Sequence, residues 1–148
     1  AFAKASITDL FSAEKLKKAE KKQVFTLAST YFENTGDFSF KASQLPFMAQ
    51  ITSVKNIVAH DFNEDGLQDL LLLGNDSEIS TQLGRLDASH GVFLLNKGTT
   101  FEYEDAPNID ITGAVRSSTF FNLNEDPLLI LGRNNDTPIF IRKATVHE

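Results

Sequence analysis

A nine-residue acidic loop between two short apolar runs constrains the fold of this chain more than any other feature. The loop spans residues 61–69 and has the pattern D-x-N-x-D-G-x-x-D. Ca²⁺ takes about six to eight oxygen ligands at roughly 2.3–2.6 Å, and one tight loop can offer most of them if acids and amides alternate. Asp61, Asn63 and Asp65 place side-chain oxygens at positions 1, 3 and 5 of the loop. Gly66 then permits the sharp turn that other residues would make only with strain.

The second half of the loop supplies the remaining predicted ligands. Leu67 would turn its carbonyl oxygen inward, and Asp69 would close the ring directly or through a water molecule. Without Cys or His, the loop favours a hard cation such as Ca²⁺ over zinc or copper. The alternative is a polar turn with no ion, because turns use Asp, Asn and Gly freely. The number of matches at fixed spacing favours calcium, with Asp61, Asn63, Asp65, Leu67 and Asp69 as ligands.

The residues that flank the loop indicate strands rather than helices. Residues 54–60 are rich in β-branched side chains, and residues 70–74 form an apolar run that ends at a glycine. The short length of both runs and the glycine stop favour β-strands. Position 12 of the loop is Leu72, where an EF-hand requires a bidentate Glu followed by a helix. An EF-hand or a dockerin-type loop is therefore excluded, and the predicted site joins two strands.

A calcium loop between two strands, with aromatic and glycine-containing hairpins nearby, resembles the FG-GAP/VCBS repeat of integrin-like β-propellers. Residues 44–50, 82–91 and 133–136 strengthen the resemblance. Together they are similar to the C-terminal part of large secreted bacterial VCBS/FG-GAP proteins that often carry an ASPIC/UnbV domain, over about Val24 to Ile141. In that family each repeat is a propeller blade and the ion is structural. The resemblance implies the five ligands named above and no catalytic residue.

Internal repeats support a repetitive β architecture without reference to any family. Phe32 and Phe93 each lie in an aromatic segment followed by Asn, Gly and Phe, and they are 61 residues apart. Asp61 and Asn122 have the same spacing of 61 residues. Residues 139–141 would form a third copy of the aromatic strand. A fixed period of this size is typical of stacked supersecondary units.

The second copy of the acidic loop, residues 122–126, lacks the features that hold an ion. Pro127 stands where the first copy has Gly66, and proline cannot adopt the backbone turn that glycine allows. About three residues are missing before the next apolar run, and nothing corresponds to Asp69. We therefore expect one calcium ion and not two.

The predicted fold class is all-β, with β-propeller-type blades and a short N-terminal helix. Grouped in fours, the predicted strands give two strands of one blade, one complete blade and three strands of another, or about two to two and a half four-stranded antiparallel units. A propeller needs about four to eight blades to close. The chain is therefore expected to belong to a longer propeller, to form a homo-oligomer, or to complete its last blade with its first strand. The predicted strands are 24–33, 38–43, 54–60, 69–74, 92–96, 100–104, 114–121, 128–133 and 138–143.

Residues 1–23 are predicted to be a helical segment that precedes a β repeat region at 24–148. The helix would cover residues 7–22, with Ser12 as an N-cap. Six Lys against one Asp and two Glu give residues 1–22 a charge of +3, whereas the total of −6 leaves −9 for the remainder. A basic anchor for a membrane surface or an acidic partner is one interpretation. A surface helix whose thin apolar stripe packs on the β body is the favoured one.

Composition bounds the classes of function. At 148 residues the chain can bury the core of one domain, and the absence of Cys excludes a disulfide framework and thiol chemistry. The sequence contains no apolar run of about 18 residues, so no membrane span is predicted. The acidic net charge gives no support for nucleic-acid binding. A weak single-loop site suits about 10⁻⁴–10⁻³ M Ca²⁺, which predicts an extracellular, cell-surface or periplasmic location. A start at Ala1 without a signal peptide is typical of a mature or excised segment.

No catalytic motif is present, so the chain is predicted not to be an enzyme. His60, His90 and His147 lie far apart in the sequence and form no zinc-binding pair. Ser never occurs as G-x-S-x-G, and no glycine-rich phosphate loop is present. The predicted role is binding or scaffolding, with a protein or glycan partner that these residues do not identify.

The stretch 75–91 is long for a loop, and it is where partner contacts are expected. Arg85, Asp87 and His90 in this stretch form a polar cluster that would suit an anionic or sugar ligand. A simpler interpretation is that Arg85 and Asp87 pair with each other and hold the loop in place. The alternative function is accordingly a carbohydrate-binding accessory module or enzyme domain with a ligand site in this stretch.

Overall fold

The computed structural model describes residues 2–79, 82, 84–106, 109–123 and 126–142. Two short helices, α1 (Ile7–Leu10) and α2 (Ala13–Lys18), come before the strands, and 3₁₀ turns are present at Phe2–Lys4 and Phe47–Gln50. The described part of the chain contains nine strands. They are β1 (Thr30–Gly36), β2 (Ser39–Gln44), β3 (Val54–His60), β4 (Asp69–Gly74), β5 (Val92–Asn96), β6 (Phe101–Glu104), β7 (Val115–Leu123), β8 (Asp126–Arg133) and β9 (Ile139–Arg142).

The strands form three antiparallel sheets in which each strand pairs with its neighbours in the sequence. The first sheet contains β1 and β2, the second contains β3 to β6, and the third contains β7 to β9. This arrangement confirms the predicted antiparallel β architecture and its grouping into two, four and three strands. The described residues do not close into a barrel or a propeller.

The predicted strand positions are accurate near the acidic loop and fail at the N-terminal end. β3, β4 and β5 have the predicted bounds, and the later strands differ from prediction by two residues at most. The predicted strand 24–33 is wrong in its first part, because β1 begins at Thr30 opposite Gln44 and no described strand pairs with the residues before it. Residues 143 and 147, which the predictions include, lie outside the described residues.

The single helix predicted over residues 7–22 is wrong, since two short helices replace it. Phe11 has an extended backbone, with φ −129° and ψ 138°, and ends α1. Ser12 is the N-cap of α2, as predicted, and its side chain accepts a hydrogen bond from the Lys15 N–H. Ser side chains that bond to nearby backbone groups compete with continuation of a helix. The helical segment is therefore interrupted at Phe11 and ends at Lys18.

The predicted packing of this segment on the β body is also wrong. Neither α1 nor α2 contains a buried residue. The expected stripe consists of Ala13, Leu16, Ala19 and Gln23, and it offers little apolar area to bury. The first hydrogen bonds to the body come from Ser29, whose N–H donates to Gln50 Oε1 at 2.7 Å. No described helix is long and apolar enough to cross a membrane.

The second sheet lies between the other two sheets, and its central strand β4 is buried on both faces. Its forward face, defined as the side toward the third sheet, carries Leu71 and Leu73, which share a core with Val115 and Leu131. The opposite side, or rear face, carries Leu72 in a core with residues of β5 and of the 3₁₀ turn at Phe47–Gln50. Because successive side chains alternate between faces, burial on both sides explains the unbroken apolar run in β4.

The first sheet lies on the rear side of the second sheet. Tyr31 of β1 contacts Phe101 of β6, with ring centroids 5.2 Å apart in an edge-to-face arrangement. Aromatic pairs of this geometry stabilise a contact by about 0.5–1.5 kcal/mol beyond the area they bury. The order along the stack is therefore first, second and third sheet.

The β1–β2 and β5–β6 hairpins share the same turn chemistry. Asn34 Oδ1 accepts the N–H of Gly36 at 3.0 Å, and Asn96 Oδ1 accepts the N–H of Gly98 at 2.8 Å. Both glycines have positive φ, at 86° and 83°. The two turns are 62 residues apart, so the aromatic repeat is displaced by one residue from the predicted match of Phe32 with Phe93. Tyr31, and not Phe32, occupies the position that corresponds to Phe93.

Candidate metal centre

The acidic loop joins β3 to β4, as the sequence predicts. His60 at the end of β3 pairs with Asp69 at the start of β4, so the two ends of the loop are fixed by the sheet. Phe62, the second loop residue, packs on the forward core, and its ring centroid lies 5.2 Å from that of Phe93. The loop is therefore anchored to the sheet at both ends and through one aromatic side chain.

The first half of the loop turns its side-chain oxygens toward its own backbone N–H groups. The Asp65 N–H donates to both Asp61 Oδ1 and Asn63 Oδ1, each at 3.1 Å. The Gly66 N–H donates to Asp61 Oδ2 at 2.8 Å, and the Leu67 N–H donates to Asp65 Oδ1 at 2.8 Å. Because one N–H is shared by two oxygens, the Asp61 and Asn63 side chains lie beside each other on one side of the loop.

The backbone of the loop adopts the sharp turn predicted at Gly66. Gly66 has φ 88°, a conformation that glycine adopts without steric cost. Glu64 also has a positive φ, at 63°, which is uncommon for a residue with a side chain. Two positive-φ residues within three positions curl the chain tightly around the side chains of Asp61 and Asn63.

The Asp65 carboxylate is held in its ionised form. A hydrogen bond from the Leu67 N–H lowers the pKa of Asp65 below its ordinary value, and a bond from the Asn63 amide and the charge of Lys97 lower it further. The Asn63 Nδ2 group donates to Asp65 Oδ2 at 2.9 Å. Asp65 is therefore an anion at neutral pH, at the place where the sequence predicts a ligand to a cation.

Asp69 has a different environment from the other loop acids. It is fully buried, with 0 % of its surface exposed. Its Oδ2 accepts the Phe62 N–H at 3.0 Å, and its Oδ1 accepts the Asn96 N–H at 2.9 Å. Asp69 thus connects the start of the loop to β5 through hydrogen bonds. If Asp69 also coordinated an ion, that would be in addition to this structural role.

Asn96 is a site residue that the ligand pattern does not reveal. Besides donating its N–H to Asp69, it donates from Nδ2 to the Gln68 carbonyl at 3.0 Å. Its own side-chain oxygen accepts the N–H of Gly98. The only sign of Asn96 in the sequence is the Asn-x-Gly pattern that both hairpins share. This pattern predicts a turn at Asn96 but not its hydrogen bonds to Asp69 and Gln68.

The donor set of the loop fits a hard cation, with oxygens from Asp61, Asn63 and Asp65 gathered on one short segment. Over the described residues, no three His, Cys, Asp or Glu side chains form a cluster able to hold a metal. Three of the five predicted ligands are Asp61, Asp65 and Asp69, and the structure does not gather these three carboxylates into one group, since both oxygens of Asp69 accept N–H groups of Phe62 and Asn96. The amide of Asn63 and the carbonyl of Leu67 are the other two predicted ligands, and Ca²⁺ accepts oxygens of both kinds. Coordination by these residues would replace the hydrogen bonds among their side chains.

The second copy of the loop is replaced by a hairpin. Asn122 pairs with Pro127 and Leu123 pairs with Asp126, so β7 and β8 run on past the positions where the first loop opens. Residues 124 and 125 of this copy lie outside the described residues.

The long stretch after β4 is held by Asn75 and Asp76. Asn75 is buried, donates from Nδ2 to the Ser89 carbonyl at 2.7 Å and accepts the Ser89 N–H at 3.1 Å. Asp76 and Leu86 exchange two backbone hydrogen bonds of 2.7 and 2.8 Å. Arg116 of the third sheet donates to the Asn75 carbonyl at 2.9 Å and lies 3.6 Å from the Asp76 carboxylate.

The polar cluster predicted in this stretch does not come together as one site. Arg85 and Asp87 form an exposed pair at 3.7 Å, which confirms that the two residues pair with each other. His90 bonds instead to Asp110 through Nδ1. The pair of Arg85 and Asp87 is not what holds the loop, since Asn75 and Asp76 do so.

A cavity of about 480 Å³ lies near His90. It is at the β4–β5 end of the second sheet, opposite the acidic loop, because strands alternate in direction. Its walls combine aliphatic side chains with three carboxylates, and no Lys or Arg is among the described residues that line it. The lining residues are Met48, Ile51, Ala88, His90, Gly91, Val92, Tyr103, Glu104, Asp105, Ala106, Ile109 and Asp110.

Comparisons with known protein families, with curated proteins and with solved structures find no match to this chain.

Proposed function

We propose that this chain is a non-catalytic, calcium-binding segment of a β-propeller-type repeat protein, exported or exposed at a cell surface, with a binding or scaffolding role. The observation that carries the proposal is the geometry of the acidic loop. Asp61 and Asn63 share one backbone N–H donor, and Asp65 is ionised beside them. The loop connects two strands of a four-stranded antiparallel sheet, which is the setting of the ion in the repeats that this sequence resembles.

Strand registers support the assignment of the sheets as successive blades. Ile57 pairs with Leu72 in the second sheet, and Ser118, which follows Ile57 by 61 residues, pairs with Leu131 in the third sheet. Leu72 is on the rear face of its sheet. Leu131 is also on the side that faces the preceding sheet. The two sheets therefore present corresponding residues in the same direction, as blades of a propeller do.

A bound ion would act on the sheet through the strand ends that the loop joins. Ligands from Asp61, Asn63 and Asp65 would draw the first half of the loop together, while Asp69 already fixes its second half to β5. Calcium bound to the folded loop stabilises the protein by mass action. For a Kd of about 10⁻⁴ M and about 10 mM Ca²⁺, the gain in unfolding free energy is about 2.7 kcal/mol.

Calorimetric titration with Ca²⁺ and thermal melting in calcium or EDTA test the metal proposal. The wild-type chain is expected to release or absorb heat with a Kd of about 10⁻⁴–10⁻³ M. Asp65→Ala is expected to weaken binding by about tenfold or more, because it removes an anionic ligand. Asp87→Ala is the matched control, since Asp87 is an exposed aspartate outside the loop. If the wild-type chain shows neither heat nor a calcium-dependent melting shift, the proposal is wrong.

The cavity near His90 favours a second candidate, a binding module for a glycan or another polyhydroxyl ligand. Tyr103 offers an aromatic face, and Glu104, Asp105 and Asp110 offer carboxylate acceptors for hydroxyl groups. A glycan array with the wild-type chain, followed by titration of any ligand found, tests this candidate. Tyr103→Ala is expected to abolish binding, whereas Arg85→Ala, outside the cavity lining, is expected to leave it unchanged. Equal binding by both variants would reject the cavity as the site.

A further inference from the structure

The segment that leads from the helices into the first sheet is apolar and lies in water. Residues 24–27, which we call the N-terminal arm, belong to no helix or strand. Val24, Phe25 and Leu27 of the arm are 74 %, 89 % and 91 % exposed. A contiguous exposed apolar patch marks a site that contacts a protein, a ligand or a membrane, whereas single exposed apolar residues need no explanation. The arm alone is small, so its meaning depends on the surface around it.

The outer face of the first sheet, which is the side away from the second sheet, extends this apolar surface. Tyr31 contacts the second sheet, so Phe32, the next residue of β1, lies on the outer face. Phe40 of β2 pairs with Asn34, two residues after Phe32, and therefore lies on the outer face as well. The Phe32 and Phe40 side chains are 61 % and 63 % exposed. Only two residues separate the arm from β1, so the arm and the first sheet are neighbours.

The turn between β1 and β2 adds a third aromatic side chain, in a strained conformation. Phe38 is fully exposed and has a φ of 58°, which is uncommon for a residue with a bulky side chain. The turn between β5 and β6 has Thr99 and Thr100 after its glycine, where this turn has Asp37 and Phe38. Strained backbone conformations occur preferentially at functional sites. An aromatic ring held in water at such a position indicates a role in contact with a partner and not in packing.

A basic stretch comes directly before the arm. Five exposed lysines lie within residues 15–22, and they are Lys15, Lys17, Lys18, Lys21 and Lys22. Glu14 and Glu20 pair with two of them at 3.2 and 3.7 Å, but exposed ion pairs contribute little. Residues 1–22 carry +3 and the remainder carries −9, so positive charge is concentrated beside the exposed apolar side chains.

A membrane that contains anionic lipids accepts both kinds of side chain at once. Phe and Leu side chains enter the boundary between headgroups and acyl chains, while lysines contact the anionic headgroups. The basic segment is not packed on the β body, because neither α1 nor α2 contains a buried residue. An acidic protein surface would match the lysines alone, whereas a membrane also matches the exposed aromatic side chains.

We propose that the lysines, the N-terminal arm and the outer face of the first sheet bind the surface of a membrane that contains anionic lipids. Phe25 and Leu27 enter the headgroup boundary beside the lysines, and Phe38 enters it at the far end of the hairpin. The charge of −9 on the remainder keeps the β body away from the anionic surface, so the chain binds with its N-terminal end toward the lipid. The inference rests on exposure and charge and not on calcium binding.

Flotation with lipid vesicles in EDTA tests the proposal with the whole chain, because bound protein rises with the vesicles and aggregated protein does not. The wild-type chain is expected to float with vesicles of equal parts phosphatidylcholine and phosphatidylserine and not with phosphatidylcholine alone. Salt at about 1 M shortens the Debye length to about 3 Å and should release it. Lys21→Gln/Lys22→Gln is expected to weaken binding by about thirtyfold, because each lysine near an anionic surface contributes roughly fivefold. Arg85→Gln is the control, since Arg85 is an exposed cation outside this surface.

The apolar contribution is measured separately. Phe25→Ser/Leu27→Ser is expected to weaken binding by about tenfold or more, because both side chains would no longer leave water for lipid. Phe140→Ser is the control and should bind as wild type, since Phe140 is an exposed aromatic residue of the third sheet. The chain has no Trp, so a single introduced Trp reports its own surroundings. With the mixed vesicles, the emission of Phe25→Trp and Phe38→Trp is expected to move to shorter wavelength, and that of Phe140→Trp is not.

Wild-type chain that does not float with the mixed vesicles, or that floats equally with phosphatidylcholine alone, would overturn the proposal. Wild-type affinity in either double variant would overturn it too, as would a wavelength shift in Phe140→Trp equal to that in Phe25→Trp. Because all of these assays are run in EDTA, they can fail while the titration with Ca²⁺ succeeds, and the reverse.

Discussion

Replacing Asp69 with alanine should destabilise the protein even without calcium, whereas replacing Asp65 should not. Asp69 is fully buried, and its two oxygens accept the N–H groups of Phe62 and Asn96. Asp65 is exposed, and its partners Leu67 and Asn63 are free to bond to water when it is removed. The two aspartates belong to one predicted ligand set, so the difference separates a structural role from a metal-binding role.

The magnitude follows from the two bonds that Asp69 accepts. A hydrogen bond to a charged group contributes about 1.5–3 kcal/mol, so losing two costs about 3–6 kcal/mol in the unfolding free energy. For a chain of this length, each kcal/mol lowers Tm by about 2–4 °C. Asp69→Ala in EDTA is therefore expected to melt at least about 6 °C below wild type. Asp65→Ala in EDTA is expected to lie within about 0.5 kcal/mol of wild type, as exposed substitutions usually do.

Urea denaturation in EDTA and in about 10 mM Ca²⁺ measures both effects on the same samples. In EDTA the order of midpoints should be wild type and Asp65→Ala together, then Asp69→Ala well below. In Ca²⁺ the wild-type midpoint should rise by the equivalent of about 2.7 kcal/mol, and the Asp65→Ala midpoint by about 1.4 kcal/mol or less, because binding at least tenfold weaker leaves less stabilisation by mass action. If Asp69→Ala unfolds at the wild-type midpoint in EDTA, the reasoning from its buried hydrogen bonds is refuted.

Three further predictions concern the packing of the sheets. Leu71→Ala, which opens a cavity between the second and third sheets, should lower the unfolding free energy measured by urea denaturation by about 2–5 kcal/mol. Leu27→Ala, at an exposed position, should lower it little. Equal effects of the two substitutions would contradict the core assignment. Arg116→Ala should speed amide hydrogen exchange at residues 75–79, because it removes the donor to the Asn75 carbonyl and a charge beside Asp76, and Arg85→Ala should not. The Glu78 N–H, and then Lys55 and Arg116, lower the pKa of Asp76 in the folded protein. The stability that the ionised Asp76 provides is therefore fully present above the ordinary carboxyl pKa near 3.9. This stability is lost as the pH falls through the lower pKa of Asp76 in the folded state. Melting from pH 7 to pH 3 should therefore show a smaller acid-induced decrease in Asp76→Asn than in wild type, and parallel curves would contradict it.

The sequence was most informative where structure is determined locally. The acidic loop, the run of leucines after it and the glycine at residue 74 predicted β3 and β4 with their observed bounds. Turn chemistry at Asn96 and Gly98 likewise located a hairpin, because an Asn side chain bonds to the backbone two residues on and the glycine there accepts a positive φ. The helix over residues 7–22 was wrong because Ser12 acts as a cap that interrupts it, although the cap itself was predicted.

Contacts between distant segments were not predictable from the pattern. Nothing in the spacing of Asp69 shows that it bonds to Asn96, 27 residues later, in place of facing only the loop. Asparagine is common in exposed loops, yet Asn75 is buried and hydrogen-bonded to Ser89. These contacts depend on which strands become neighbours. A hydrophobic pattern of period two specifies which face of a strand is buried and not which strand lies beside it.

The division of the loop into an exposed half and a buried half has a consequence for the proposed ion. Because Asp69 is bonded to β5 through Asn96, the second half of the loop should be ordered whether or not calcium is bound. The first half is held by bonds within itself, all of them exposed, and exposed hydrogen bonds contribute little to stability. Calcium would therefore order residues 61–66, while the second half of the loop is already held to β5 by the bond between Asp69 and Asn96. Such a site stabilises the edge where β3 meets β4 without being required for the sheet to form.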